Sequence, residues 1–521
     1  MSPLNIRHSV RELQDMYDSG TKQPLEDLIK AWIGIQALPP TDLNSFFVIG
    51  GYHGEPFEGQ GKLDKHYWGG YCNHGNVLFP TWHRVYVLHI EKALQSIVPG
   101  VMMPYWDETS EESLRHGIPT VLTDEQFPLD GVMVKNPLRS FVLPEDVCDD
   151  VNGDNNLYSK PKGYETVRYP LSGLMGTAVD QETTRIYNRD YPNPVENTTL
   201  LNANVRAWLL RDITALNDTK RTTGIADGFY RCLDAPNYTV FSNTISATNW
   251  TGIHYNKPIV ISLEQPHDDI HLAVGGFDVI ANGLIARANG DMGENNTAGL
   301  DPIFFFHHCN VDRMFWLWQV KHNKTDSFEI MSEYGGTRAS GIAQGPNAQG
   351  PAVGQSEGED LTMNTPLYPF LKDAANPHSN YTSLDCINIE TQLGFTYSDG
   401  SLSGNRTLPG GKDTLGKKAD SVKKLEVSGI NRALFSGSFV IRAYAEIAQK
   451  RHYLGHHSVL SRGNVKNCAN CQTHLDVCAH FDLADFSNEA IESATFSIEI
   501  QHRGHDGENL PQSLKYNLKV I

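Results

Sequence analysis

The stretches HGNVLFPTWHRVYVLHIE (residues 74–91) and DPIFFFHHCNVD (residues 301–312) decide the architecture of this chain, because each places histidines beside a run of apolar residues. Three neutral imidazoles per ion suit copper, zinc, iron or nickel. The chain supplies two such groups, which predicts a site for a pair of metal ions. The groups are His53, His74 and His83, and His267, His271 and His308.

The second group has the spacing expected of ligands carried by helices. His267 and His271 are four residues apart, so both project from one face of a helix and can bind one ion. His308 lies in a segment that is apolar nearly all round, which predicts a buried helix over residues 304–320. Imidazoles buried among phenylalanines need polar partners, and a metal ion provides one.

Composition and charge exclude several classes of protein. The chain has 521 residues, of which 40% are hydrophobic, and its formal net charge is −18. The negative charge argues against a nucleic-acid partner. No apolar run approaches the length of a membrane span, so no membrane partner is expected. The N-terminal residues lack the apolar segment of a secretory leader, which predicts an intracellular protein.

The pattern along the chain predicts two domains. Residues 1–397 mix helical patterns, at 42–53 and 85–97 as well as 304–320, with loop-like stretches that dominate residues 109–260. Residues 398–424 are rich in Gly, Ser and Lys, which predicts an exposed, protease-accessible linker. Residues 425–521 alternate apolar and polar side chains, as at Phe439, Ile441 and Ala443, which predicts a β-rich second domain.

The two stretches quoted first resemble the two copper-binding signatures of the type 3 copper family. That family comprises tyrosinases, catechol oxidases and molluscan-type haemocyanins. The similarity covers about residues 40–397, and the arrangement as a whole resembles a latent fungal tyrosinase. The resemblance implies a mainly α-helical catalytic domain, with a four-helix bundle around a dinuclear copper site and many loops. It also implies a C-terminal β-rich, sandwich-like domain.

The resemblance assigns roles to individual residues. His53, His74 and His83 would bind copper A, and His267, His271 and His308 would bind copper B, while His307 would be a supporting or packing residue. Cys72 would form a thioether bond with His74. Phe79 and Leu272 are expected at the substrate entrance, and Tyr397 closes the catalytic domain.

The implied chemistry is the oxidation of phenols by O₂. Two Cu(I) ions with imidazole ligands can each give one electron to O₂, which leads to o-hydroxylation of monophenols and oxidation of o-diphenols to quinones. Tyrosine, DOPA and catechols are the expected substrates. By the resemblance, Glu264 and Asp268 hold a water that takes the phenol proton, because phenol must bind copper as phenolate. Alternatively, both carboxylates only hydrogen-bond the ligand rings.

The second domain carries a compact group of soft ligands. Cys468 and Cys471, with His474 and Cys478 nearby, suit Cu(I) or zinc, and a redox disulfide is the rival interpretation. The resemblance implies a shielding domain that also delivers copper through Cys468 and Cys471. An activating protease is then an expected partner, and an oligomer is compatible with the sequence. The candidates for an apolar plug at the copper entrance are Tyr453, Val459 and Leu460.

Three other functions compete with that of a tyrosinase. A catechol oxidase would share the copper centre but lack monophenol hydroxylation. A haemocyanin-like O₂ carrier usually repeats its unit many times, and no internal repeat is visible here. A zinc or di-iron hydrolase would need carboxylate ligands, and none occupies a ligand position.

Overall fold

The structure, a computed structural model, has a helical part followed by a β-rich part. It describes residues 4–54, 70–147, 160–176, 178–214, 220–277, 288–339, 355–404, 422–462, 465, 471, 474–502 and 513–521. None of the helices in this part of the chain is long and apolar enough to cross a membrane. The helices are α1 (Val10–Asp18), α2 (Gln23–Ala37), α3 (Phe46–Gly51), α4 (Phe79–Ile97), α5 (Glu111–His116), α6 (Ala178–Asn188), α7 (Pro194–Leu209), α8 (Ile225–Cys232), α9 (Tyr238–Ser242), α10 (Thr244–Ile253), α11 (Glu264–Gly275), α12 (Ile303–Lys321) and α13 (Asn488–Ser493).

The strands are short in the helical part and longer in the C-terminal part. They are β1 (Asn5–Arg7), β2 (Gln126–Leu129), β3 (Val132–Lys135), β4 (Asp212–Thr214), β5 (Lys220–Thr222), β6 (Pro366–Leu371), β7 (Asn380–Thr382), β8 (Phe395–Tyr397), β9 (Lys424–Asn431), β10 (Phe439–Ile447), β11 (Lys450–Val459), β12 (Asp476–Asp482), β13 (Thr495–His502) and β14 (Asn517–Val520).

The helices predicted around the histidines are present, with different starting points. Helix α12 confirms the prediction for residues 304–320, and α4 begins six residues before the predicted 85–97. Pro80 stands in the first turn of α4, where a missing N–H costs nothing. The helix predicted from Asp42 begins only at Phe46, because the side chain of Ser45 accepts a hydrogen bond from the N–H of Val48 and caps it.

Residues 109–260 are more helical than the sequence indicated. Helices α5 to α10 all lie in this range. The many asparagines of residues 109–260 make the composition of this range loop-like. However, Asn193, Asn237 and Asn243 are the N-caps of α7, α9 and α10. Each of these side chains accepts hydrogen bonds from the N–H groups of the first helical turn, which explains why so many short helices start here.

A buried cluster of charges joins the ends of the helical part. Asp312 on α12 accepts hydrogen bonds from Arg84 on α4 at 2.5 Å, from Arg7 on β1 at 3.3 Å and from Tyr397 on β8 at 2.5 Å. Arg7 also donates to Glu91 on α4, at 2.8 Å. Because β1 pairs in parallel with β8, this cluster holds the two long metal-site helices to both ends of the domain.

The C-terminal part is a sandwich of two three-stranded sheets. One sheet has the order β11-β10-β13 and the other β12-β9-β14. Their facing sides share one apolar core, to which Ile441 on β10, Val427 on β9 and Phe481 on β12 contribute. The β-rich second domain is thereby confirmed.

Both described ends of the predicted linker are held against the folded parts. Leu402 is only 6% exposed, and the N–H of Ser401 donates to Asp107 at 2.7 Å. Lys424 already belongs to β9 and donates to the carbonyl of Tyr255 at 2.8 Å. Leu402 and Lys424 are buried, so the prediction of an exposed linker is wrong at these two residues, whereas Asp399 and Gly404 are exposed. Residues 405–421 lie outside the described part.

Replacement of Asp312 by Ala should lower the free energy of unfolding of the copper-free chain by about 3–5 kcal/mol, because two buried arginines lose their shared carboxylate. Urea unfolding followed by tryptophan fluorescence measures this loss. The control is Asp360→Ala, since the side chains of Asp360 and its partner Arg338 are 60% and 69% exposed. The control should cost about 0–1 kcal/mol. Equal costs would contradict the role of the cluster.

Candidate metal centre

The first triad, His53, His74 and His83, comes from three separate pieces of chain. His53 follows the end of α3, His74 lies in the loop before α4, and His83 lies near the start of α4. The ring centroids are 5.0 Å apart for His53 and His74, 5.2 Å for His74 and His83, and 5.7 Å for His53 and His83. The structure therefore brings together the three residues predicted for copper A.

The second triad, His267, His271 and His308, comes from two helices. His267 and His271 project from one face of α11, with ring centroids 4.6 Å apart. His308 on α12 completes the triad at 4.8 Å from His267 and 5.5 Å from His271. The spacing of four residues works as predicted.

The two triads face each other across one small space. The rings of His83 and His308 stack with centroids 4.5 Å apart, and those of His74 and His267 are 5.6 Å apart. Ligand atoms of His53, His83 and His308 lie within 4.8 Å of one another. Two ions held by these groups would be neighbours, which makes the centre dinuclear.

Backbone carbonyls orient several of the rings. Nδ1 of His53 lies 3.1 Å from the carbonyl oxygen of Asn295. Nδ1 of His83 lies 2.8 Å from the carbonyl oxygen of Phe79, and Nδ1 of His271 lies 2.8 Å from the carbonyl oxygen of Met292. A carbonyl accepts only, so each Nδ1 carries the proton and each Nε2 presents a lone pair. This is the arrangement that fixes imidazole ligands around a metal.

Four of the six Nε2 atoms have no hydrogen-bond partner among the described residues. Those of His53, His74, His83 and His267 are buried and make no hydrogen bond. The Nε2 atoms of His271 and His308 face each other at 3.3 Å. Buried acceptors without donors are costly, so these nitrogens fit metal ions and nothing else in the described part of the chain. An all-nitrogen set of this kind suits copper.

Burial keeps these imidazoles in the ligating form. It lowers the pKa of His83 to about 3, and it lowers the pKa values of the other five histidines well below that of free histidine. The positive charge of neighbouring protonated rings would lower the pKa of each further. All six rings are therefore neutral at physiological pH.

His307 lies next to the second triad but is tied on its far side. Its Nδ1 is 2.6 Å from Oε1 of Glu108, a fully buried carboxyl whose pKa is raised by burial. Ligand atoms of His307 and the second triad lie within 4.8 Å of one another. The resemblance assigns the ligand place to His308, and the contact with Glu108 agrees with a supporting role for His307.

Cys72 lies beside the first triad. Its Sγ and the ligand atoms of His53 and His74 lie within 4.8 Å of one another, and the thiol is buried. This position is compatible with the thioether to His74, which stays a prediction.

Glu264 is held by the loop that carries His74. Its Oε1 accepts from the N–H of Gly75 at 2.6 Å, and its Oε2 accepts from the N–H of Thr244 at 2.9 Å. Burial raises its pKa, and these hydrogen bonds oppose the shift. Glu264 hydrogen-bonds no ligand ring in the described residues, but it positions the loop next to one.

Asp268 makes the ring contact that Glu264 does not. Its Oδ1 lies 3.0 Å from Nδ1 of His267. Burial raises the pKa of Asp268 well above its ordinary value, and the charge of Glu264 raises it further. One of the two sequence interpretations, a hydrogen bond to a ligand ring, thus applies to Asp268.

Sequence reasoning missed Arg432, which acts on both carboxylates. It stands in a single turn after β9 and donates to the carbonyl of Leu460 at 2.7 Å. Burial lowers the pKa of Arg432 to about 10, and attraction to Asp268 and then Glu264 opposes the shift. Nothing in the local sequence links Arg432 to residues more than 160 positions earlier.

The predicted entrance residues are buried among the ligands. The ring centroid of Phe79 is 4.7 Å from that of His83 and 4.8 Å from that of His267. Leu272 is fully buried in the apolar core, beside His271. Both residues make the surroundings of the metal centre apolar, but neither lines the cavity that leads to it.

A cavity of about 410 Å³ lies between the metal centre and the C-terminal domain. From the catalytic side its lining includes His74, Glu264 and Asp268. Among the residues that line it from the C-terminal domain are four that we call the cover. Gly75, with φ of 63°, lies so close to the cover that a Cβ there would be 2.5 Å from Cδ2 of His474. The cover residues are Arg432, Val459, Leu460 and His474.

The three plug candidates have different places. Val459 and Leu460 line the cavity. Tyr453 does not line it and lies under the guanidinium of Arg211, 4.2 Å from its ring centroid. Tyr453 as a plug is therefore wrong, because its neighbours at the domain interface draw it to one side.

The cysteine pair of the second domain is not available as a pair of thiolates. Cys471 lines the cavity and is disulfide-bonded. A disulfide sulfur is not a thiolate ligand, so the disulfide alternative applies to Cys471 here. Cys468 lies outside the described residues.

Comparisons with known proteins agree with the geometry. The family described as the common central domain of tyrosinase matches residues 43–321. The tyrosinase HcTyr2 of Hahella sp. (strain CCB-MM4) is 53% identical over 100% of this chain and 99% of its own length. A tyrosinase of Aspergillus oryzae is 37% identical over 96% of this chain and 93% of its own length. The solved structure of the tyrosinase from Burkholderia thailandensis at low pH is 52% identical, with a TM-score of 0.85 over 99% of this chain and 100% of that one.

Replacement of His83 or His308 by Ala should remove one copper ion per chain and abolish O₂ binding, because the triad concerned would be left with two of its three ligands. Elemental analysis of the copper-loaded protein and the absorption of its oxygenated form measure both effects. The matched control is His89→Ala, in the same helix as His83 but packed on Phe370, at 5.5 Å between ring centroids. A wild-type chain with one copper, or with mainly zinc, would contradict the dinuclear assignment.

Proposed function

Because this chain belongs to the tyrosinase family, it oxidises phenols with O₂ at a dinuclear copper centre, and we propose that it acts on monophenols as well as o-diphenols and is latent. The observation that carries the proposal is the cavity at the metal centre. Carboxylates suited to proton transfer form one wall, and the C-terminal domain closes the other.

The chain's own residues bind and orient the reactants. The copper pair supplies the activation of O₂ and the oxidation of the phenol. The six imidazoles would hold the ions, and carbonyls of the surrounding backbone fix the orientation of three of the rings. Phe79 and Phe304 pack against the ligand rings and exclude water from them.

Monophenol hydroxylation requires a proton acceptor in the cavity. A phenol has a pKa of about 10, so at neutral pH it must lose its proton on binding copper. Glu264 and Asp268 are the acidic residues of the catalytic domain that line the cavity. We assign the acceptor to this pair, which takes the proton directly or through a water molecule.

A catechol oxidase without monophenol activity is the alternative, and it differs only in this step. Oδ1 of Asp268 is hydrogen-bonded to the ring of His267, whereas its second carboxylate oxygen forms no hydrogen bond with the described residues. Glu264 also lies in the cavity wall, which supports the inclusion of monophenols among the substrates.

Replacement of Glu264 by Gln should lower the rate on tyrosine about 10²-fold and the rate on DOPA much less, because only the monophenol must be deprotonated. Steady-state rates on both substrates, with copper content checked, measure the ratio. Thr244→Val is the control, since it removes a 3.1 Å hydrogen bond to Glu264 and keeps the carboxylate. Equal losses on both substrates would mean that Glu264 only positions Gly75.

The C-terminal domain is proposed to keep the enzyme latent. Its strand β11 packs on α11, where Nε2 of His456 lies 3.3 Å from Oδ1 of Asp269. Ser438 donates to the carbonyl of Gly293 at 2.9 Å, close to the second triad. These contacts seat the cover over the cavity, and Arg432 places its charge opposite the two carboxylates.

The segment that links the two domains explains why its cleavage would relieve this inhibition. A domain held by a short segment has a high effective concentration at its own interface, and loses it when the segment is cut. The segment from 405 to 421 contains Arg406, Lys412, Lys417 and Lys418 between two anchored ends. A trypsin-like protease is the proposed activator. The intracellular location and the oligomeric state stay predictions.

Limited trypsin treatment should cut between residues 405 and 421 and raise the rate on DOPA on the order of tenfold or more, because the freed cover dissociates. Mass spectrometry locates the cut, and the copper content of the core should not change. The control replaces Arg406, Lys412, Lys417 and Lys418 by Gln, and this chain should stay latent under the same treatment. An uncut chain as active as the core would contradict latency.

A further inference from the structure

Three potential metal ligands share one face of a sheet in the C-terminal domain. Strands β9 and β12 are antiparallel neighbours, with Glu426 opposite His480. Along β12 the apolar residues Val477, Ala479 and Phe481 turn to the sandwich core. Alternation therefore places Cys478 and His480 on the other face, together with Glu426.

The three side chains are close enough to share one ion. Sγ of Cys478, a ring nitrogen of His480 and a carboxylate oxygen of Glu426 all lie within 4.8 Å of one another. Nε2 of His480 and Oε2 of Glu426 are 3.5 Å apart, which is too long for a strong hydrogen bond. A contraction of about an ångström or less per ligand would produce bonds of metal–ligand length.

The same three residues line the cavity at the dinuclear centre. Glu426, Cys478 and His480 are on the wall formed by the C-terminal domain, and His74 is on the opposite wall. Cys478 is a partly exposed free thiol, while the other free cysteines of the described residues are buried. An ion that enters the cavity can therefore reach this face without opening the sandwich.

The local electrostatics favour a cation between the three groups. Burial raises the pKa of the Cys478 thiol to about 12, and the negative charge of Glu426 contributes. A thiolate beside a carboxylate is unfavourable on its own, and it becomes favourable when a metal ion balances both charges. The ammonium group of Lys424, the nearest described lysine on β9, donates a hydrogen bond to the carbonyl of Tyr255 at 2.8 Å.

We propose that Glu426, Cys478 and His480 form a third metal site, separate from the dinuclear centre, and that it binds Cu(I). Thiolate and imidazole are the ligand types that select Cu(I), and a site with so few protein ligands suits an ion of low coordination number. Structural zinc sites usually have four protein ligands, which favours copper over zinc. The disulfide at Cys471 cannot supply a thiolate, which leaves Cys478 as the thiol among the described residues of this wall.

The test uses the full chain with its dinuclear centre already loaded. Under anaerobic conditions with ascorbate, which leaves disulfides intact, the chain is equilibrated with Cu(I) buffered by bicinchoninate. We expect a third equivalent of copper per chain and copper–sulfur scattering in the X-ray absorption spectrum. A centre built only of imidazoles has no sulfur ligand. Neither measurement depends on turnover, so the result stands apart from the proposals on substrates and latency.

The variants are Cys478→Ser and His480→Asn, and Ser428→Ala, two residues after Glu426 on β9, is the control. Both site variants should lose the third equivalent and Cys478→Ser should lose the copper–sulfur scattering, while the control keeps both. Two coppers retained in each variant confirm that the chain has folded. Copper content of two in the wild type, a third equivalent that survives in both variants, or uptake of Zn²⁺ in place of Cu(I) would each overturn the proposal.

Discussion

Six clustered imidazoles, four of which have a buried Nε2 that makes no hydrogen bond with the described residues, are the constraint on which the rest of this structure depends. Their Nε2 atoms converge on one small space, and burial keeps the rings neutral. Each unsatisfied nitrogen costs on the order of 1–3 kcal/mol in the absence of an ion. These nitrogens are retained despite their destabilising effect because, once they bind copper, they provide the reactive centre.

Such a centre is useful only if its helices cannot move apart. The ligands His83 and His308 belong to α4 and α12, and the carboxylate of Asp312 lies one turn beyond His308. Its bonds to Arg84 and Arg7 lock these two helices to each other and to the first strand. The buried charges are a costly way to join elements, but they define one arrangement where apolar packing alone would allow several.

The second domain completes the site from the opposite side. Apolar residues of the cover narrow the cavity, and Arg432 gives two buried carboxylates an opposite charge. The carboxylates are thereby stabilised in the covered form, and their release would leave them facing solvent and substrate. The same wall carries a thiol, an imidazole and a carboxylate, so the proposed inhibition and the proposed third metal site share one surface.

The sequence by itself determined the six clustered histidines, the helical and β-rich parts and the long helices, because histidine spacing and apolar periodicity are local signals. It predicted His53, His74, His83, His267, His271 and His308, and the structure brings all six together. It did not predict the short helices of residues 109–260, since an Asn-rich segment has the same composition whether its asparagines cap helices or form loops. The tertiary structure alone decided that Val459 and Leu460 line the cavity while Tyr453 does not, that Arg432 acts on Glu264 and Asp268, and that Cys478 joins Glu426 and His480. Each of these depends on how two domains dock or which strands pair, and contacts between distant residues leave no periodic pattern in one sequence.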